Sequence, residues 1–213
     1  MHIAEGVLSP SVLVSGGVLA AAGVGMGLRR LDYEELPRVA VLAAAFFVAS
    51  LIHVPIGPTS VHLVLNGLVG VILGWAAFPA LAVALFLQAI LFGYGGLSSL
   101  GVNIFNMAFP GVICYYLCHR GLKTGSRRSL LAWGFGAGAA AVAISCFLLA
   151  LSLYMTSGQF LGVIKLTVAA HLPVMAIEGL VTAAVVVFLR RVRPELLSAP
   201  LLGSESGGKN ACV

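Results

Sequence analysis

The sequence predicts an all-α fold: a polytopic membrane bundle of about seven transmembrane helices, with its N-terminus outside and its C-terminus cytoplasmic. Three observations carry that reading. Of 213 residues, 60% are hydrophobic and 9% charged, and the mean hydropathy is +1.08. A soluble domain carries about 25% charged residues, so the solvated surface of a cytosolic enzyme, disulfide scaffold or nucleic-acid binder cannot be built from this composition. Second, Asp, Glu, Lys and Arg are missing from residues 7–28, 39–119, 129–164 and 179–189. Third, basic residues gather at Arg29, Arg30 and Arg38, at Arg120, Lys123, Arg127 and Arg128, and at Arg190, Arg191 and Arg193. The positive-inside rule places all three clusters in the cytoplasm, and the net charge of +5 then reads as orientation.

Parity sets the helix count. The uncharged stretch 39–119 starts and ends inside, so it crosses an even number of times. At roughly 20 residues per span, its length suits four short spans better than two. Residues 129–189 supply two spans and residues 7–28 one. Helix 1 is expected at 8–28, helix 2 at 38–54 and helix 3 at 60–77, with VPIGPTS (54–60) as an outer connection. Phe78–Pro79 turns the chain inside before helix 4 at 79–93. A glycine-rich outer segment, 93–103, precedes helix 5 at 104–119, where Pro110 is expected to kink the helix. Helix 6 is expected at 129–155 and helix 7 at 171–192, with 156–170 returning along the outer face. Residues 1–197 form one membrane domain, and 198–213 read as a disordered cytoplasmic tail. No basic n-region or A-x-A-like cleavage site precedes helix 1, so Met1 is expected to stay as the first residue.

Polar groups inside a membrane are costly, and their placement is the functional signal. The topology puts His2, His53, His62 and His171 at the outer end, joined by Glu5, Tyr94, Asn103 and Asn106. His119 falls inside, where a solvated loop is the simple reading. Four histidines among seven carboxylates in the whole chain suggest a borderline metal, Ni, Co, Zn or Cu, whereas calcium or magnesium would want clustered oxygens. Each histidine can equally well sit at the lipid headgroups. His2 narrows the choice. A free α-amine, the peptide nitrogen of residue 2 and that residue's imidazole close two fused chelate rings, and one further imidazole completes four nitrogens in a plane. Such coordination selects Cu(II) or Ni(II), admits low-spin Co(II) and disfavours tetrahedral Zn(II).

The segments MHIAEG (1–6), GPTSVHLVLNGLVG (57–70), LQAILFGYGGLSSLGVNIFNMAFPG (87–111) and HLPVMAIEGLVT (171–182) resemble the CbiM/NikM family, the substrate-capturing components of energy-coupling-factor cobalt and nickel importers. The likeness covers about residues 1–197. It implies Ni(II) or Co(II) as transported substrate and no catalytic cofactor. It implies metal ligands at Met1, His2 and His62, with Asn103 behind them and a capping loop at 95–103. Tyr94 stands where many members carry histidine, which leaves this position a hydroxyl rather than an imidazole. The resemblance also implies partners: a transmembrane coupling subunit, ATPase subunits and, in some systems, a small accessory membrane protein. No G-x-x-x-x-G-K-[ST] loop occurs here, so ATP hydrolysis would belong to another chain. The ridge Gly17, Ala21, Gly25 on helix 1 suits close packing within the bundle or docking on the coupling subunit.

Other polar residues have smaller expected parts. His53 is read as a residue behind the ligands or on the access route. Glu5 either accepts a hydrogen bond near the metal or favours the dipole of helix 1. Glu178, mid-helix 7, wants a bundle hydroxyl or amide or another subunit. Lys165 snorkels to the outer surface, and His171 is interfacial. Cys114, Cys118, Cys146 and Cys212 have no thiolate-ligand spacing. Two other function classes stay open: a self-sufficient secondary metal transporter, and an intramembrane serine hydrolase using Ser60 or Ser98 with His62 or His53.

Overall fold

The computed structural model describes residues 1–51, 53–124 and 126–197. The expected tail at 198–213, with Cys212, lies outside them. Seven α-helices are present: α1 (Pro10–Arg29), α2 (Leu36–Ala49), α3 (Asn66–Leu73), α4 (Ala77–Phe92), α5 (Leu100–Thr124), α6 (Arg127–Thr156) and α7 (Leu161–Val192). Proline begins α1 and α2, where its missing N–H costs nothing. Five stretches are long and apolar enough to cross a membrane: Pro10–Arg29, Asn66–Phe92, Leu100–Leu122, Arg127–Thr156 and Gly158–Val192. The chain is a largely helical, membrane-integral protein.

Helix directions follow from the packing. Asn66 bonds to Met107, Gly70 packs on Gly111 and Gly74 meets Tyr115, so α3 and α5 run side by side in the same sense. Gly74, at φ +54°, ends α3, and a 3-10 turn (Gly74–Ala76) leads into α4. Gly23 lies on Phe78 and Gly27 on Pro79, so α4 begins where α1 ends. Gly134 packs on Ala183, and Gly138 on Glu178 and Thr182, which makes α6 and α7 antiparallel. α5 is the central post, touching α1, α3, α4 and α6.

Residues 53–62 depart from the expected helices. Helix 2 stops at Ala49, and His53–Ile56 (β1) pairs antiparallel with Thr59–His62 (β2). Helix 3 begins at Asn66, not at residue 60. Pro55 and Pro58 lack the N–H a helix needs, Gly57 turns the chain at φ +55°, and Val54, Thr59 and Val61 suit extended backbone. Mean hydropathy does not distinguish an apolar strand from an apolar helix. Pro55 is tolerated because β1 is an edge strand. The other edge of β2 is taken by the N-terminal segment: Ile3 bridges Thr59, Ser60 N–H donates to the His2 carbonyl at 3.2 Å and Ala4 N–H to the Pro58 carbonyl at 2.9 Å.

Two further corrections concern the ends of helices. Helix 5 starts at Leu100, so Asn103 sits on its first turn and not in the loop, and the helix continues through Pro110. The stretch 156–170 is no surface return: beyond a 3-10 turn (Gly158–Phe160), α7 runs unbroken from Leu161 through Pro173. Only Gly162 and Pro173 interrupt an otherwise helix-compatible sequence there, and packing against α6 outweighs both. Lys165 is exposed, in keeping with snorkelling.

Contact at Gly70 gives a test. A Cβ there overlaps the Gly111 backbone, whereas one on Gly17 meets nothing within 4 Å. Gly70→Val should lower the melting temperature in detergent, overpacking costing about 1–3 kcal/mol; Gly17→Ala should leave it unchanged.

Candidate metal site

Residues 1–4 enter the bundle as the third strand beside β2, with Met1 and Ile3 fully buried. Four side chains hold the segment. Asn103 on α5 accepts from Ile3 N–H at 2.9 Å and donates to the Ile3 carbonyl at 3.1 Å. Ser99 Oγ donates to the same carbonyl at 2.8 Å. Glu5 accepts from Ser98 N–H at 3.1 Å, tying the 93–99 loop down over the strand. Ser60 Oγ is the 3.4 Å acceptor for His2 N–H. The loop lies close because Gly95 and Gly96 adopt φ +79° and +100°; a Cβ on Gly95 would stand 2.7 Å from Asn103 Nδ2. Glu5 thus clamps the loop, and Asn103 positions the main chain next to His2.

His2 and His62 meet at the centre. Their rings stack with centroids 4.7 Å apart, at 4% and 3% exposure. His62 Nδ1 donates to the Leu63 carbonyl at 2.7 Å, which leaves Nε2 with the lone pair. That Nε2 and the His2 Nε2 are buried with no hydrogen-bond partner among the described residues. An orphaned buried polar atom costs about 1–3 kcal/mol, so these two imidazoles are held in place at an energetic cost. Burial also strips these groups of protons. It holds the Met1 amine well below its ordinary 8.0, against the pull of Cys146 and Glu178. His2 is held well below 6.5, burial first and neighbouring positive charge second. The chain's first residues and the His2 and His62 imidazoles thus lie together in the buried interior. Among the described residues no cluster of three or more His, Cys, Asp or Glu exists, so a cation here needs main-chain nitrogen as well.

Glu178 is the residue whose part the sequence concealed. It is wholly buried, and its carboxylate accepts the main-chain N–H groups of Val64 and Leu65, with Leu65 N at 2.8 and 3.0 Å from its two oxygens. The bonds secure Leu65 at φ +50°, a strained value for a non-glycine residue, and hold the start of α3 four residues beyond His62. Its partners are amides, of the backbone. Another concealed residue is His171. It is fully buried, Nδ1 on the Thr167 carbonyl at 2.7 Å and Nε2 without partner among the described residues, and is not interfacial. Thr167 meets Thr59 of β2 at 3.2 Å, which sets this turn of α7 against the site. A helical period through Thr167, His171 and Glu178 is the signal that shows this face.

His53 and Tyr94 lie above His2, beside a cavity of about 150 Å³. His119 is far off, sixteen residues along α5 from Asn103, or about 24 Å. It is 8% exposed and belongs to the helix, not to a solvated loop.

A membrane helix bundle that buries its first residues beside two stacked imidazoles defines the class: a polytopic membrane protein with a nitrogen-rich centre. Residues 2–196 match the CbiM family, described as the cobalt uptake substrate-specific transmembrane region. The chain belongs to this family, whose members are metal-transport components and not enzymes. It is 44% identical to a candidate metal-transport protein of Haemophilus influenzae, over 93% of this chain and 97% of that one. It is 33% identical to the cobalt transport protein CbiM of Sorangium cellulosum (92% and 94%) and 39% identical to the fused nickel transport protein NikMN of Rhodobacter capsulatus (93% and 64%). A solved transition metal transporter superposes with TM-score 0.72 at 30% identity, covering 90% of this chain and 93% of its own. A truncated one gives 0.68 at 29%, covering 92% and 99%.

Because burial lowers the Met1 amine below its ordinary 8.0 and His2 below 6.5, unfolding takes up protons below pH 8.0 at the amine and below 6.5 at this imidazole. Stability of the metal-free protein should fall as pH drops, by about 1.4 kcal/mol per pH unit for each group between its unfolded and folded values. Melting from pH 8 to about 5.5 reads this, and His2→Leu should reduce the slope.

Proposed function

We propose that this chain is the metal-capturing membrane subunit of an energy-coupled importer for nickel or cobalt. It takes the ion from the outer face through the Met1 amine, the His2 peptide nitrogen, the His2 imidazole and the His62 imidazole. The observation that carries the reading is the close packing of the buried first residues, the His2 ring and the unpartnered His62 Nε2, the two rings 4.7 Å apart. Amine to peptide nitrogen closes a five-membered ring, and peptide nitrogen to imidazole a six-membered one. Loss of the peptide proton leaves a divalent ion with one net positive charge, which is less costly to bury than two. A strongly polarising metal is needed for that loss, in accord with the family's cobalt and nickel transport.

The chain crosses the plasma membrane seven times in this reading, N-terminus outside. The third crossing combines extended residues 59–65 with the short helix α3, and the fourth is α4, so the stretch Asn66–Phe92 is a reversal at Gly74 and not one span. Irregular backbone at that depth is tolerable because it lies inside protein. ATPase subunits and a transmembrane coupling subunit, with an accessory membrane protein in some assemblies, complete the transporter. A self-sufficient secondary transporter is disfavoured by Glu178. It is the one fully buried carboxylate among the described residues, and its oxygens are already committed to main-chain amides.

The test is calorimetric titration of purified protein with Ni(II) and Co(II). His62→Ala should weaken binding by more than about 100-fold, the upper end of what losing an outer-shell group costs. His119→Ala should bind as the parent does. Equal affinity in both variants would refute the ligand set.

A further inference from the structure

Hairpin register makes His53 and His62 direct cross-strand partners, so their side chains leave the same face of the sheet. His62 is 3% exposed while His53 is half-buried and faces the cavity of about 150 Å³. That cavity opens outward from His2 and is lined by His53, Tyr94, Ser60, Thr59 and Pro55 among others, with no carboxylate in its wall. Four rings make a file from mouth to centre. His53 meets Tyr94 edge-on with centroids 4.0 Å apart, Tyr94 lies 6.2 Å from His2, and His2 lies 4.7 Å from His62. His53 Nδ1 faces the Leu51 carbonyl at 3.3 Å, which assigns its proton there and leaves Nε2 as the nitrogen able to meet an ion.

We propose that His53 is a loading ligand: its Nε2 takes a divalent borderline metal ion from solvent at the mouth of the cavity and passes it inward past Tyr94. This rests on the metal reading above. An aqueous ion approaching the buried nitrogens must lose its waters one by one, and the chelate that expels a peptide proton forms slowly. A single imidazole at the mouth replaces one water, holds the ion and releases it readily. It turns the next ligand exchange into an intramolecular step at high effective concentration. No bond but metal–water and metal–nitrogen changes, and no redox step occurs. With no carboxylate in its wall, the mouth offers little to calcium or magnesium, which need oxygen ligands. Tyr94 contacts both His53 and His2 and lines the same cavity, so its ring borders the route and narrows it for the ion.

A ligand used only on the way in and out changes both rates and not the equilibrium. Stopped-flow mixing of Ni(II) with the full chain gives the association rate, and excess chelator gives the dissociation rate. His53→Ala should slow both by about tenfold with Kd unchanged, the loss of a local-concentration advantage. Tyr94→Ala should speed both, again at constant Kd, and it serves if His53→Ala fails to fold. A weaker Kd with unchanged association would make His53 a permanent ligand and overturn the proposal, as would parental rates in either variant. Failure of the underlying reading looks different: His62→Ala would then bind Ni(II) as tightly as the parent.

Discussion

Strand β2 is the member on which the centre of the molecule depends. A peptide group inside an apolar bundle must find hydrogen-bond partners within the protein, and a strand exposes them along two edges. One edge of Thr59–His62 is closed by β1 and the other by residues 2–4. Paired in this way, the first residues of the chain are drawn from the surface to a depth where neither water nor lipid reaches them. Asn103 and Ser99 complete the main-chain bonds of Ile3, and Glu178 completes those of Val64 and Leu65 where the strand hands over to α3. The small helix contacts, Gly70 on Gly111 and Gly138 on α7, bring α3, α5, α6 and α7 close enough to hold that strand.

The same pairing has a chemical consequence. Burial of the terminal amine beside the His2 imidazole disfavours their protonated forms, and the pull of Glu178 on the amine offsets this only in part. What remains is a pair of stacked imidazoles whose Nε2 atoms have no hydrogen-bond partner among the described residues. The scarcity of acidic residues, 7 in the whole chain, removes the alternative of carboxylate ligation. Glu178 supplies negative charge to the interior, but spends both oxygens on the backbone, and so its influence on an ion is through the placement of His62.

How much of this could be read in the sequence differs by element. Charge gaps and basic clusters located the helices, because burying Lys or Glu in lipid is costly wherever it occurs. His2, His62 and Asn103 were legible as a set because the N-terminal, 57–70 and 87–111 motifs together resemble one family. The hairpin was not, since apolar residues serve equally in a strand and in a helix, and only Pro55, Gly57 and Pro58 hinted at the choice. Helix 7 starts ten residues before the expected residue 171, because packing on α6 carries the helix straight through Pro173. His171 and Glu178 seemed separate, one interfacial and one deep, until a single face of α7 put both beside β2. Whether Glu178 bonds to a hydroxyl, an amide or a neighbour depends on which strand lies opposite, and no local pattern carries that.

The most direct measurement is the affinity of Ni(II) and Co(II) for protein carrying one additional glycine before Met1, set against protein that begins at Met1. The chelate predicts a loss of more than about 100-fold on extension, with the metal-free melting temperature little changed. Full affinity in the extended protein would show that the amine is no ligand, and the account of the site would be wrong.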